Sequence, residues 1–596
     1  MVGPRRYSMV VEKNVPVSVR DGTVLRADIR RPRASGTFPA LLLRTPYGKY
    51  RFGGLRGGSA SGWERFVAAG YVVAVQDTRG RYESDGQFTL FTTGPTADAE
   101  DGYDTVEWLA EQPYCNGRVG ALGISYNAWM VWECARLRPP HLTAMCACSI
   151  PTESWELDWT GSFRPGRRIR WWLCTIAPDV RRRHGEPGPH TKEEADKIWM
   201  RVERAFWLGF LPWMDLPDYL PREIATDIRQ WFASPTKPVW KLREAHSEIE
   251  IPNLDFTGWY DHCNRTIGHL EGMQTNARTD VARVQTKMVI GPWSHFRLGE
   301  PRYGAVDFGP NAAVDIEGTI LRWFDHWLKD DANGVESEPA LRYYPIGTGA
   351  WRTASTWPPK QTQSCVLFLR SRGDAHRSDG HGLLTFERPK ASPPDQYSYE
   401  PRNPVPTLWT EDMFTIPSDR RILEYRHDIL YYRAHPLTED LEIAGHPRVV
   451  LYVSSSACDT DFFARLVDEH PQGQAIEIAY GMARMRHRES FDDEDLIHPN
   501  RVYELSIELG PTACCFRAGH RVRLEITSSD FPNHDRNHNT GANDLCDTRL
   551  LVAKQRVWHD ADCPSQLLLP VVSDSRAGLI QAGDSGLVVA STLEAS

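Results

Sequence analysis

Ser125 has the sequence setting that points most directly to chemistry. It stands in Gly123-Ile124-Ser125-Tyr126-Asn127, after the apolar run Arg118-Val119-Gly120-Ala121-Leu122 and before the apolar stretch Ala128-Trp129-Met130-Val131-Trp132. That order predicts strand, sharp turn and helix. A serine on such a turn projects its Oγ above a sheet edge, and the N-terminus of the next helix aims backbone N–H groups at a developing oxyanion. Asn127 occupies the place of the usual second glycine. A short motif of this kind needs partners elsewhere in the chain before it carries weight.

A serine nucleophile requires a base, and the base a carboxylate that fixes its tautomer and stabilises the imidazolium. Two later segments offer them in the order Ser, Asp, His. The strand-like run Asn253-Leu254-Asp255-Phe256-Thr257-Gly258-Trp259-Tyr260 ends at Asp261, and Lys287-Met288-Val289-Ile290 leads through Gly291-Pro292-Trp293-Ser294 to His295. In open parallel α/β sheets the carboxyl ends of strands are where chemistry sits, so residues far apart in sequence can converge there. Taken singly, Asp261 reads as a loop cap and His295 as a surface histidine; taken together in this order they read as a triad. A further donor is offered by Tyr47. The apolar strand Phe38-Pro39-Ala40-Leu41-Leu42-Leu43 runs into Arg44-Thr45-Pro46-Tyr47-Gly48, so the phenol could share oxyanion charge with the backbone N–H of Tyr126. A turn tyrosine with a wet hydroxyl fits the local residues equally well.

These segments together resemble a known family. Arg44-Thr45-Pro46-Tyr47, Val75-Gln76-Asp77-Thr78-Arg79-Gly80-Arg81 followed by Ser84-Asp85-Gly86, Gly123-Ile124-Ser125-Tyr126, Gly258-Trp259-Tyr260-Asp261 and Gly291-Pro292-Trp293-Ser294-His295 are similar to the bacterial cocaine esterase family of the X-Pro dipeptidyl-peptidase (S15) group. Ser454 to Phe462, Phe516 to Arg523 and Ser528 to Pro532 extend the likeness through the C-terminal half. The resemblance implies an α/β-hydrolase domain with a helical cap insert and a C-terminal all-β jelly-roll domain. It implies Ser125 as the acylated nucleophile, His295 as proton relay, Asp261 as its orienter, and Tyr47 with the Tyr126 N–H as the oxyanion hole. It also places Trp172 on an acyl-pocket wall, with Trp155, Trp171 and Asn264 as further pocket candidates. Ala128 replaces a glycine usual in that family, which adds one methyl at a crowded helix–strand contact.

Composition sets wider limits. A chain of 596 residues is too long for one core and divides into two or three domains. With 69 Lys and Arg against 78 Asp and Glu, the net charge of −9 argues against a nucleic-acid partner. No apolar run approaches the roughly 20 residues of a membrane span, and the start Met1-Val2-Gly3-Pro4-Arg5-Arg6-Tyr7 lacks a secretory core segment. Twelve cysteines are scattered, many in strand-like runs such as Met145-Cys146-Ala147-Cys148. A reduced cytoplasmic protein is the simplest reading. With no Cys-x-x-Cys or His-Glu-x-x-His, no metal or other cofactor is expected, and Asp261-His262-Cys263 is better explained by the triad. The expected partner is a small-molecule ester or amide substrate, with no membrane, and a homodimer is left open.

Along the chain, residues 13–31 alternate as a β-hairpin around Arg20-Asp21-Gly22, and strands and helices then alternate to about residue 150. The reading therefore assigns 1–150 and 248–351 to the catalytic domain, 151–247 to the cap and 352–596 to the all-β domain. The cap has helix-like blocks at 193–209 and 223–232 and nine tryptophans, at 155, 159, 171, 172, 199, 207, 213, 231 and 240, with Trp259 just beyond. About two thirds of these indoles are expected in the core, the rest lining an apolar acyl pocket. Arg164, Arg167, Arg168, Arg170 and Arg181-Arg182-Arg183 are expected on a solvated face, although an inward arginine could clamp a carboxylate.

The leading functional reading is hydrolysis of a carboxylic ester, with amides included, through an acyl-enzyme. An X-Pro-type peptidase, or an α-amino-acid ester hydrolase or acyltransferase, is the alternative, and a non-catalytic carbohydrate-binding or scaffolding protein is a third. The run His262-Cys263-Asn264-Arg265 offers no acidic anchor for a substrate ammonium, and an unpaired ammonium in a closed pocket is costly. Glu153, Glu156 and Asp158 are the acidic residues that could supply one instead.

Overall fold

The computed structural model describes residues 7–51, 62–91, 97–159, 161–408 and 416–573. The start of the chain, read above as lacking a secretory segment, falls outside them up to residue 6. The chain folds into two compact units. The first comprises Met1–Trp159, Pro165–Ile290 and Val314–Arg342; the second comprises Thr160–Arg164, Gly291–Ala313 and Tyr343–Ser596.

The first unit is built on a mostly parallel sheet. Strands β1 (Met9–Ser18) and β2 (Val24–Pro32) form the expected antiparallel hairpin, and β2 pairs antiparallel with β4 (Val72–Asp77). From there the ladder is parallel: β3 (Phe38–Thr45) lies between β4 and β5 (Cys115–Ile124), and β6 (Leu142–Cys148) follows β5. Every residue of β4 is buried, as is nearly all of β3. A strand covered on both faces must read as a continuous apolar run, which both do. Beyond β6 come β7 (Leu254–Gly258), β8 (Lys287–Gly291) and β9 (Leu341–Tyr343), hydrogen-bonded in that order. Met145 and Asn253 form a parallel bridge that joins β6 to the start of β7, and the Asn253 carboxamide accepts from Ala147 N–H at 2.9 Å and donates to Ala147 O at 3.3 Å. An asparagine side chain thus stands in for a missing ladder rung.

Alternation along β3 and β5 divides the core. Ala40, Leu42, Val119 and Ala121 cluster with Val106 and Leu109 of α1 (Ala97–Ala110) and Trp129 and Trp132 of α2 (Tyr126–Arg136). Gly120 points the other way, where a Cβ would come within 2.5 Å of the Phe324 ring on the helix Ile316–Lys329. The parallel strands share one carboxyl edge, and Tyr47, Arg81, Ser125 and Asp261 all follow strand ends there.

Between β6 and β7 the chain is helical. A continuous run passes from Pro165–Arg170 through a π turn at Trp171–Ile176 into Ala177–His184, and α3 (Arg222–Ala233) follows later. Of the nine tryptophans, 159, 172, 199, 207, 213 and 240 are buried and 155, 171 and 231 are half-buried, in line with the two-thirds expectation.

The arginines overturn the expectation of a solvated face. Arg164, Arg167, Arg168 and Arg181 are buried. Arg181 donates to Tyr219 O at 3.1 Å, Arg183 to Tyr82 O at 2.9 Å and Ser84 O at 3.0 Å, and Arg170 pairs with Asp196 at 3.1 Å. Only Arg182 is exposed, paired with Asp179 at 2.8 Å. A charge run counts cations and says nothing of the carbonyls and aromatic faces that can receive a guanidinium indoors.

The second unit carries a sheet of thirteen strands among the described residues. The alternating segments Ser364–Leu369, Arg448–Val453, Arg501–Glu508, Arg521–Thr527 and Ser565–Pro570 lie in or overlap strands. Arg164 belongs to this unit, donating to Tyr480 Oη at 3.1 Å and Asn533 Oδ1 at 2.5 Å.

Candidate active site

Ser125 sits between β5 and α2 with φ 60° and ψ −124°, in a region that side chains rarely adopt. Such strain persists only where the surroundings impose it. Two observations show how they do. Ser125 N–H donates to Cys148 O at 3.0 Å, continuing the β5–β6 ladder, while Ser125 O already accepts from Trp129 N–H at 3.0 Å in the first helical turn. Gly123 permits the tight return, since a Cβ there would stand 2.5–2.7 Å from the backbone of Asn127 and Ala128. The strand–turn–helix expected from sequence is present, and the methyl of Ala128 is fully buried in it.

Tyr47 follows β3 on a loop held at several points. Its N–H donates to Thr45 Oγ1 at 3.1 Å, and Lys49 binds Asp77, at the end of β4, through both its backbone N–H and its Nζ at 2.6 Å. Arg81, fully buried, donates from Nε to Pro46 O at 2.8 Å and from Nη1 to Ile176 O at 3.0 Å. One guanidinium therefore ties the Tyr47 loop to the π turn of the helical insert. Burial pushes the Tyr47 phenol up to about 12, against a hydrogen bond from Trp171 and the positive charges of Arg168, Arg167 and Arg81. The phenol accordingly keeps its proton through neutral pH and can donate it to an oxyanion. The Tyr126 ring lies edge-on to Tyr47, with centroids 6.2 Å apart, and its hydroxyl accepts from Phe91 N–H at 3.1 Å. What Tyr126 has available for chemistry is its backbone N–H.

Asp261 lies three residues past β7 and is buried. The strand ends at Gly258, two residues earlier than the sequence run suggested, and a turn closed by Asp261 N–H to Gly258 O at 3.0 Å carries the carboxylate forward. Asp261 accepts from Cys263 N–H at 2.7 Å. Beneath it, Asp255 of β7 accepts from Thr266 Oγ1 at 2.8 Å and Ser149 N–H at 3.1 Å, fastening the loop to the end of β6. Burial holds the Asp255 carboxyl well above its ordinary range. His295 is buried, four residues past β8, on the Gly291–Ala313 segment that belongs to the second unit.

Of the pocket candidates, Trp171 and Trp172 line a partly open cavity together with Leu90, Phe91, Arg168, Asp227, Ile228, Trp231, Val239 and Trp240. Trp155 and Asn264 are not among its lining residues. The Trp155 indole donates to Glu153, and the Asn264 amide donates to Trp259 O at 3.1 Å. Phe91 stacks on Tyr126 with centroids 4.0 Å apart, so the cavity wall touches the residue next to Ser125. Arg168 lies over the rings of Trp171 at 4.9 Å and Phe91 at 5.9 Å. Asp227 accepts from Leu90 N–H at 2.9 Å, and burial raises its pKa.

The acidic residues named as alternative ammonium anchors are engaged. Glu156 accepts from Thr152 Oγ1 at 2.9 Å and Glu153 N–H at 3.1 Å, and Arg243 stands 3.6 Å from Glu153 and 3.7 Å from Glu156. The Asp158 side chain lies outside the described residues. Sequence reasoning missed Arg81 and Asp255, whose partners are main-chain groups and a threonine that no motif announces.

The second unit contains another serine–histidine–aspartate contact. Ser392 Oγ is 3.0 Å from His559 Nδ1, and His559 Nε2 is 2.9 Å from Asp395. Asp395 also accepts from Tyr432 at 2.7 Å, Ser371 at 2.7 Å and Ala375 N–H at 2.9 Å, and Ser392 Oγ lies 3.0 Å from Ser371 O. With no following helix and with its hydroxyl committed to a carbonyl, Ser392 serves a buried hub that holds loops together.

Residues 21–297 match the X-Pro dipeptidyl-peptidase (S15 family) model, and residues 333–568 match the X-Pro dipeptidyl-peptidase C-terminal non-catalytic domain. The chain is 32% identical over 586 residues to a cocaine esterase of Rhodococcus sp. (strain MB1 Bresler), covering 94% of this chain and 98% of the relative. An aminopeptidase from the marine sediment archaeon Thaumarchaeota archaeon matches with a TM-score of 0.76 at 25% identity, over 96% of this chain and 98% of the other. An α-amino acid ester hydrolase shares the fold, with a TM-score of 0.72 at 22% identity over 96% and 98% of the two chains. The chain belongs to the S15 family, in the group that includes the cocaine esterases, with its hydrolase domain followed by a separate strand-rich C-terminal domain.

Proposed function

We propose that the protein is a serine hydrolase of carboxylic esters that acts through an acyl-enzyme on Ser125. The observation that carries the reading is the strained backbone at Ser125, imposed by the close approach of Gly123 to α2 and by the β6 ladder. Family membership supports ester hydrolysis as the reaction. In this reading residues 1–150 and 248–351 form an α/β-hydrolase domain, residues 151–247 its cap, and residues 352–596 a jelly roll.

Ser125 Oγ attacks the ester carbonyl and passes its proton to His295, while Asp261 holds the imidazole and offsets its charge. The tetrahedral oxyanion accepts hydrogen bonds from the Tyr47 hydroxyl and the Tyr126 N–H. Collapse expels the alcohol, which takes the proton from His295. Water, deprotonated by the same histidine, then attacks the acyl carbonyl and releases the acid and Ser125. The assignment of His295 is supported by its place just past β8, which is hydrogen-bonded beside the strand that leads to Asp261. The aromatic cavity beside Tyr126 would take an apolar or aromatic substrate group. A reducing, cytoplasmic setting accords with twelve free thiols. No helix among the described residues is long and apolar enough to cross a membrane.

The test is a panel of p-nitrophenyl esters and matched anilides of varied acyl size and charge, with mass detection of the acyl-enzyme. Ester turnover with an acyl adduct is expected. Anilide cleavage without ester cleavage, or turnover with no adduct, would overturn the reading.

A further inference from the structure

We propose that Asp468, His470 and His520 of the second unit form a binding site for a divalent transition-metal ion such as Zn²⁺. The site is separate from the residues assigned to hydrolysis. Asp468 is the penultimate residue of β10 (Asp461–Glu469), and His470 opens the turn into β11 (Ala475–Arg484). His520 immediately precedes β12 (Arg521–Thr527), which runs antiparallel to β10 with Glu469 opposite Arg521 and Asp468 opposite Val522. Strand register thus brings together donors some fifty residues apart in sequence.

The backbone at each donor is fixed. His470 N–H donates to Gln474 O at 2.7 Å and Gly473 N–H to His470 O at 2.8 Å. His520 N–H donates to Arg517 O at 2.9 Å, and His520 O accepts from Leu437 N–H at 2.8 Å. The Asp468 oxygens lie 2.9 and 3.1 Å from His520 Nδ1, and Oδ2 lies 3.3 Å from His470 Nε2. One donor atom from each of the three residues falls within a single 4.8 Å group. A tetrahedral ion with bonds of about 2.0–2.1 Å has donor–donor edges of about 3.3–3.4 Å; the carboxylate–imidazole separations of 2.9 and 3.3 Å lie close to that, and the two imidazole nitrogens lie within 4.8 Å of each other.

Without the ion, Asp468 holds the two imidazoles by hydrogen bonds; on binding, the ion replaces the ring protons that point at the carboxylate, and these leave to solvent. Two imidazole nitrogens and one carboxylate oxygen suit Zn²⁺, Ni²⁺ or Cu²⁺ better than Ca²⁺ or Mg²⁺, and leave a fourth position for water. Both histidines are half-buried, which gives the ion a path from solvent. The surrounding charges are largely paired among themselves: Asp419 with Arg421 at 2.5 Å, and Glu469 with Arg433 at 2.7 Å and Arg523 at 3.1 Å. Cys514, on the strand Thr512–Phe516, is a buried thiol that feels the Asp468 charge.

The full chain, stripped with a chelator and then freed of it, is titrated with Zn²⁺ by calorimetry. Saturable one-to-one binding is expected, weakened at least tenfold in His470→Ala and in His520→Ala and unchanged in His381→Ala, which removes an exposed histidine of the same unit. Circular dichroism melts confirm folding, and His470, in a turn, supplies the variant that leaves the strands intact. Co²⁺ substitution should give visible absorption typical of four-coordination. Absence of saturable binding, or equal affinity in His470→Ala and the parent, would overturn the site.

Discussion

Arg81→Met tests whether the insert helps to hold the oxyanion hole. The substitution keeps the aliphatic stem and removes a guanidinium that lies over the Phe88 ring at 4.8 Å and donates to Pro46 O and Ile176 O. Both carbonyls belong to buried residues. Leaving a buried acceptor unsatisfied costs about 1–3 kcal/mol, so the two together predict a loss of about 2–6 kcal/mol in stability. Asp179, 3.7 Å from Arg81, retains Arg182 at 2.8 Å, so no charge is stranded. The catalytic effect has a ceiling, because one oxyanion donor contributes about 3 kcal/mol, or roughly 10²-fold in kcat. A loop displaced by about an ångström forfeits much of that. We expect kcat to fall about 10- to 100-fold in Arg81→Met, with KM changed far less. The assay is a double-mutant cycle on one ester, using Tyr47→Phe, Arg81→Met and the double variant, with melting curves to confirm folding. If Arg81 acts through Tyr47, the double variant is no more than about threefold slower than Tyr47→Phe. Multiplicative losses, or an unchanged kcat in Arg81→Met, would refute the coupling.

Gly123→Ala should abolish soluble, active enzyme, because the new methyl would meet backbone rather than movable side chains; normal expression and activity would show that the elbow can open. Matched esters differing only in an α-amino group should favour the form without the ammonium, since Arg243 already stands beside Glu153 and Glu156. A tenfold preference in kcat/KM for the ammonium form, about 1.4 kcal/mol, would instead promote the amino-acid ester reading. Acid should destabilise the fold through His246 and His269. They are buried, hydrogen-bonded to each other at 2.8 Å, with His269 stacked on Trp132; burial lowers His246 to about 4 and His269 well below its usual value. Between about pH 6.5 and 4 the unfolded chain binds protons that the folded chain cannot, so stability falls as pH falls, by about 3 kcal/mol for His246 alone. Urea midpoints of His246→Asn should therefore vary less with pH across this window than those of the parent; parallel curves would contradict the assignment.

The proposed catalytic elements are legible in the sequence where each is local. Ser125 announces itself because strand, turn and helix are contiguous, and Tyr47, Asp261 and His295 because each closely follows an apolar run. The insert's arginines were misread because composition reveals charge but not the carbonyls that receive Arg181 and Arg183 or the rings beneath Arg168. Arg81 could be read as part of a family motif, yet its role depends on Pro46 and Ile176, which are visible only in space. The Asp468–His470–His520 cluster has no sequence signature, since the pairing of β10 with β12 creates it. Trp155 and Asn264, singled out as pocket residues, bond to Glu153 and to Trp259 O.

The central claim is that Ser125 alone is acylated. Treating the parent, Ser125→Ala and Ser392→Ala with a fluorophosphonate, followed by intact mass and peptide mapping, tests it most directly. The account predicts one adduct per chain, located on Ser125, absent with all ester hydrolysis in Ser125→Ala and unaffected in Ser392→Ala. An adduct on Ser392, or full esterase activity in Ser125→Ala, would contradict it.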